Sequence, residues 1–148
     1  MKCEISYLAG LFDGEGCIDV TVDHPHKPRR GKNPIYAARL VVANTDPRLI
    51  QAFQNHFGFG DTQKRHYYPG TRPTWNWRAQ YLRAVSALME MYPYLLSKRE
   101  EARYAVLLHT IKSMRRYREN PPELLELYAK IKTKIKELHH REFEKDPD

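Results

Sequence analysis

The sequence predicts an α+β fold in which antiparallel strand pairs lie against helices. Two strand-like pairs are each joined by a polar, Pro- and Gly-bearing segment, and apolar stripes at helical spacing precede, separate and follow those pairs. The resulting order, αββαββαα, is that of antiparallel hairpins rather than of a parallel sheet. At 148 residues the chain is long enough for one compact domain with a real core.

Each element has its own justification. Residues 4–13 form an apolar helical run, with the motif helix bounded at about 4–14. Cys17–Asp23 then alternates, with Ile18, Val20 and Val22 on one face and Cys17, Asp19, Thr21 and Asp23 on the other. His24–Pro34 is rich in Pro, Gly and basic residues and reads as a loop before a second strand at about Ile35–Ala43. Asn44-Thr45-Asp46-Pro47 starts a helix: Thr45 or Asp46 can cap, and Pro47 suits the first turn. Leu49, Ile50, Phe53 and Phe57 repeat at helical spacing until Gly58 ends the run. Gly60–Tyr68 and Thr74–Tyr81 flank the turn Pro69-Gly70-Thr71-Arg72-Pro73. Leu82, Val85, Leu88 and Met89 form the next stripe, which Pro93 breaks. Leu95–Met114 reads as a helix burying Ala102, Ala105, Val106, Leu108 and Ile111. From Pro121-Pro122 a last amphipathic helix, to about residue 143, carries Leu124, Leu127, Tyr128, Ile131, Ile135 and Leu138.

Composition narrows the partners. Apolar residues make up 41% and charged residues 29%, a globular balance, and the net charge is +7. Residues 24–45, 62–89 and 102–118 hold Lys and Arg and no acid, whereas 121–148 are nearly neutral. Such a basic body with a balanced tail suits a polyanion. No apolar run is long enough to span a bilayer, the N-terminus lacks a secretory core, and two cysteines without metal-type spacing suit an intracellular chain with reduced thiols. The expected partner is therefore nucleic acid, with no membrane.

The most informative stretch is Tyr7-Leu8-Ala9-Gly10-Leu11-Phe12-Asp13-Gly14-Glu15-Gly16-Cys17-Ile18. Gly10 and Gly14 stand four apart and share a helical face, where a missing Cβ permits close helix packing. An acid at the foot of such a pair faces its counterpart across the contact, and two close carboxylates repel unless a cation sits between them. Leu8 to Gly16 resembles the nine-residue signature of the LAGLIDADG homing endonucleases, with Phe12, Gly14 and Glu15 where the family name has Ile, Ala and Asp. The resemblance implies an αββαββα fold with a saddle-shaped antiparallel sheet over DNA, helices behind it and here an extra C-terminal helix. The whole of 1–148 would be a single endonuclease domain. The motif occurs once, which in that family implies a homodimer joined through Leu8, Ala9, Gly10, Phe12 and Asp13, and two-fold symmetry implies a palindromic or nearly palindromic target.

The same resemblance assigns roles. Glu15, with the backbone carbonyl of Gly14, would hold Mg²⁺, for which Mn²⁺ can substitute and with which Ca²⁺ supports binding without cleavage. Lys98, in a segment where a Pro and an apolar pair precede a lysine, would neutralise transition-state charge or position water. Asn44 would hold a solvent molecule, Arg48 would stand at the rim of the pocket, and Asp13 would be structural. Strand parity places Trp75, Trp77 and Ala79 inward, leaving Thr21, Arg39, Gln63, Arg65, Tyr67, Asn76, Arg78 and Gln80 toward DNA. Arg39, Arg65 and Arg78 suit guanine edges, and Gln63, Asn76 and Gln80 suit adenine. The 24–34 loop, with Lys27, Arg29, Arg30 and Lys32, would extend the grip along phosphates. The implied activity is Mg²⁺-dependent double-strand cleavage leaving 3′ overhangs, by an enzyme encoded in an intron or an independent reading frame. The alternative is an intron RNA maturase or a cleavage-inactive DNA-binding regulator on the same fold, and retention of Glu15 favours cleavage.

Overall fold

The computed structural model describes residues 3–24, 34–66, 68–114 and 121–141. Helix α1 (Ile5–Glu15) runs directly into strand β1 (Gly16–Asp23), and β2 (Ile35–Asn44) follows. Helix α2 (Pro47–Phe57) leads to β3 (Asp61–Arg65) and β4 (Thr74–Gln80). Three helices follow among the described residues, α3 (Tyr81–Met91), α4 (Arg99–Met114) and α5 (Pro122–His139), with a 3₁₀ turn at Tyr92–Tyr94. The fold is the expected α+β, with three helices after the second strand pair where the short form αββαββαα has two.

The sheet is wholly antiparallel in the order β1-β2-β4-β3, so β4 sits centrally between β2 and its own hairpin partner. Strand parity controls burial. Ile18, Val20, Leu40, Val42, Trp77 and Ala79 form one buried face, packed with Leu8, Ala9, Phe12, Ile50, Phe53, Leu88, Ala102, Leu108, Tyr128 and Ile135 from the helices. Trp77 anchors an aromatic cluster with Phe53, Phe57 and Phe59, and its indole N–H donates to Phe59 O at 3.0 Å. The opposite face carries Thr21, Arg39 and Arg78, all half-buried.

Several boundaries and faces differ from the sequence reading. β3 stops at Arg65, short of the expected Tyr68, because a turn closed by Thr71 Oγ1 on Tyr68 O follows; all its residues are exposed. In α3 the buried face is Ala84, Val85, Ala87, Leu88 and Met91, while Leu82 and Met89 point outward. Positions 84, 88 and 91 define the stripe, and 82 and 89, seven apart, define its opposite side. α4 begins at Arg99 rather than Leu95. The amides of Leu96 and Lys98 bond Asp13, and the first helical bond is Ala102 N to Lys98 O at 3.0 Å. α5 ends at His139, short of 143, and residues 142–148 lie outside those described.

Candidate functional site

The passage from α1 into β1 is made by Gly16, whose backbone is already extended and whose N–H bonds Phe12 O. A Cβ there would lie 2.4 Å from the Phe12 ring, which is fully buried. Glycine is therefore required where helix turns into strand, and the turn delivers Glu15 to the surface. The Glu15 carboxylate is exposed and accepts no hydrogen bond from any described residue.

Asp13, two residues earlier, is fully engaged. Its Oδ2 accepts from Leu96 N at 2.7 Å, and its Oδ1 accepts from Lys98 N at 3.1 Å and Ser97 Oγ at 3.2 Å. A carboxylate from one helix thus caps the amides that lead into another. The Lys98 ammonium donates to Asp13 O at 2.6 Å. A lysine suits that carbonyl, because the last turn of a helix carries partial negative charge. Lys98 is half-buried rather than set on a wet face, and the carbonyl that holds its ammonium belongs to Asp13, two residues before Glu15.

Asn44 lies at the same end of the sheet, since Gly16 pairs with Val42 two residues before it. Its Oδ1 accepts from Asp46 N at 2.8 Å, so the side chain forms the turn before α2. Asp46 then caps α2 by accepting from Arg48 N at 2.9 Å. The same carboxylate holds the Arg48 guanidinium, with Nη2 to Oδ2 at 2.7 Å. Those hydrogen bonds hold Asp46 well below the usual carboxylate range, at about 2. Arg48 is thereby directed to its own helix start.

On the open sheet face Arg39 makes a forked pair with Asp19, Nε to Oδ1 at 3.1 Å and Nη2 to Oδ2 at 2.6 Å. That hydrogen-bonded carboxylate raises the pKa of the guanidinium further. Thr21 Oγ1 donates to Ala37 O at 3.3 Å. Arg65 donates to Gln63 Oε1 at 3.1 Å, and both are exposed, as is Gln80. Arg78 is half-buried. Asn76 is buried, with its Oδ1 lacking a partner among the described residues, so it is less open than its parity suggested. Arg29, Arg30, Lys32 and Tyr67 lie outside the described residues. Beside Gly16, desolvation and then the Asp19 carboxylate push the Cys17 thiol up.

A family model described as LAGLIDADG endonuclease matches residues 8–104, a span that contains the motif helix, the whole sheet and Lys98. The chain belongs to the LAGLIDADG endonucleases, which are site-specific DNA endonucleases. Solved structures with the same fold include the homing endonuclease I-CvuI in complex with its target in the presence of Ca, at 19% identity and a TM-score of 0.74. That match covers 90% of this chain and 80% of that one. The archaeal intron-encoded homing endonuclease I-Vdi141I, complexed with DNA, matches at 12% identity and a TM-score of 0.73, covering 97% and 88%. The meganuclease I-SmaMI, bound to uncleaveable DNA, matches at 16% and 0.67, covering 88% of this chain and 44% of that one. A comparison with curated proteins finds no match.

The LAGLIDADG helix itself departs from the sequence reading in one respect. Leu8, Ala9 and Phe12, expected at a dimer contact, are fully buried in the chain's own core. The helix meets the sheet through them, so they have no surface to offer a second copy. Asp13 likewise bonds its own chain. The open side of α1 is Ser6, Tyr7, Gly10 and Gly14, and a Cβ at either glycine would meet nothing within 4 Å. The sequence reading also missed the buried Glu101 and its ion pair with Arg141, at 3.2 Å. The two stand forty residues apart, Glu101 on α4 and Arg141 just past the end of α5, and neither belongs to a local pattern. None of the described helices is long and apolar enough to cross a membrane.

Proposed function

We propose that two copies of this chain form one enzyme that cuts both strands of a long palindromic or nearly palindromic DNA site. The reaction is hydrolysis assisted by a divalent cation, Mg²⁺ in the first instance, and it leaves 3′ overhangs. The observation that carries the reading is the arrangement at the end of α1. Glu15 is exposed and accepts no hydrogen bond from a described residue, while Lys98 is fixed through its ammonium to the carbonyl of Asp13, two residues before Glu15. An uncommitted carboxylate two residues along the helix from the carbonyl that anchors a cation is what a phosphate-handling site needs.

The donor set suits a hard cation shared with substrate. Among the described residues no cluster of three His, Cys, Asp or Glu is placed to hold a metal ion. Glu15, with the Gly14 carbonyl, would therefore supply the chain's share, and the other ligands would come from a second copy, water and DNA phosphate. When bound, the cation lowers the pKa of an attacking water and stabilises charge on phosphate oxygens. Lys98 adds a fixed positive charge beside that phosphate, at no cost of reorganisation. Asp13 keeps Lys98 in place. Gln63, Arg65, Arg78 and Gln80, on one face of β3 and β4, would face the duplex, and the Arg39–Asp19 pair ties β2 to β1 beside them on that face. Their contacts to phosphate position the enzyme, and those to base edges specify the site.

A two-copy enzyme is supported by the bare glycine face of α1 and by length. This chain spans 44% of I-SmaMI but 80% of I-CvuI. The test is incubation of a randomised palindromic duplex library with Mg²⁺, with wild type and Glu15→Gln side by side. The wild type is expected to cut a subset of duplexes, and the variant to bind the same subset without cutting. Equal cutting by both removes Glu15 from the chemistry. Binding without cutting by both leaves a regulator.

A further inference from the structure

α5 and the residues just past it touch both segments on which the proposed chemistry depends. Arg141 donates through Nη1 to Glu101 Oε1 at 3.2 Å and through Nη2 to Ser97 O, the residue before Lys98. On the other side, His139 Nε2 hydrogen-bonds Ile18 O at 2.7 Å and Lys132 Nζ donates to Val20 O at 2.6 Å. Those carbonyls belong to β1, the strand that begins directly after Glu15. β1 is an edge of the sheet, and edge strands carry backbone groups that no ladder satisfies. The helix that makes these bonds, Pro122–His139, lies outside residues 8–104, the span the family model covers.

We propose that α5 and the residues just past it form a clasp that sets the Lys98 loop against the Glu15 strand, with Arg141 as the positioning residue. The proposal rests on the nuclease reading only for its consequence in cleavage. The loop at 95–98 has one buried side chain, Leu95, while Leu96 and Ser97 are exposed. Packing therefore leaves it under-determined. Asp13 holds it from α1 through the amides, and Arg141 holds it from just past α5 through the Ser97 carbonyl. The guanidinium suits the task because its donors are fixed in one plane, so a single group bridges a carboxylate and a carbonyl. Glu101 supplies the reason Arg141 stays: at 3% exposure its carboxylate requires a paired charge. His139 and Lys132 fix the other jaw.

The test uses Arg141→Lys, which keeps a charge beside Glu101 but cannot span both acceptors. Amide hydrogen exchange at Leu96 and Lys98 is expected to quicken about tenfold in the folded variant. Single-turnover cleavage of the best duplex from the randomised library is expected to fall about tenfold or more, with DNA affinity within about twofold, the signature of misplacement rather than lost binding. Arg141→Ala should act in the same direction. If it fails to fold, the neutral pair Glu101→Gln with Arg141→Gln removes the buried charge and should show the same loss. Unchanged exchange at both amides overturns the clasp, as does quickened exchange with an unaltered cleavage rate. Weakened DNA affinity with the rate intact also overturns it, by making Arg141 a DNA contact. Quickened exchange in a chain whose wild type cuts no duplex supports the clasp and removes the nuclease reading.

Discussion

Asp46 does two things with one carboxylate: it caps α2 and it holds Arg48. Removing the larger of these influences, in Arg48→Ala, should raise the Asp46 midpoint from about 2 toward its ordinary 3.8, read by NMR titration. The sign follows from the depressed value. The stabilisation is complete above the ordinary pKa and disappears as pH falls through about 2. A midpoint that stays put in Arg48→Ala would assign the whole effect to the helix-start amide. Gly16 gives a second test at this scale. A methyl group there meets the buried Phe12 ring at 2.4 Å, and over-packing of that kind costs about 1–3 kcal/mol. Gly16→Ala should lose that much in urea unfolding; an unchanged midpoint would mean the ring can move aside. Sequence spacing alone read Gly16 as the last letter of a motif, and the reason for it became visible only with Phe12 beneath it.

Elements whose stripes are strongly periodic were legible, and those set by distant polar contacts were not. Tyr128, Ile131 and Ile135 repeat at helical spacing and are buried as that spacing requires. Ile135→Ala should therefore cost about 2–5 kcal/mol, measured by chemical denaturation, because the site is closed and cannot collapse easily. A loss below about 1 kcal/mol would place that face of α5 at the surface. By contrast, the start of α4 is decided by Asp13, more than eighty positions away, which takes the Leu96 and Lys98 amides before a helix can use them. No window of sequence around Leu95 contains that carboxylate. The rotation of α3 has a similar origin. Leu82 and Met89 are as apolar as Leu88, and only the position of the sheet selects Ala84, Val85 and Leu88 for the core. Asn44 carried two readings, a site residue and a turn former, and the structure displays the turn.

At the scale of the whole molecule, the question is what covers the bare side of α1. The motif announced close helix packing, and the structure divides its residues between two duties. Leu8, Ala9 and Phe12 serve the core, while Gly10 and Gly14 face outward beside a Tyr7 that is 53% exposed. Glycine in a helix interior costs roughly 1 kcal/mol relative to Ala, so two of them on an open face are a standing loss unless something approaches closely. No described residue does so, since a Cβ at either position meets no atom within 4 Å. The proposed two-copy enzyme would place a second copy of α1 there, with the glycines where the two backbones would cross. The expectation is therefore opposite to that for Gly16. Gly10→Leu and Gly14→Leu should leave the single chain at least as stable to heat when dilute, because the helix gains a better former and no clash. The same substitutions should halve the mass seen by sedimentation and abolish double-strand cutting, since each Glu15 would lose its counterpart. A variant that keeps a two-chain mass would mean the copies meet elsewhere, and Glu15 would then have to act without a partner acid.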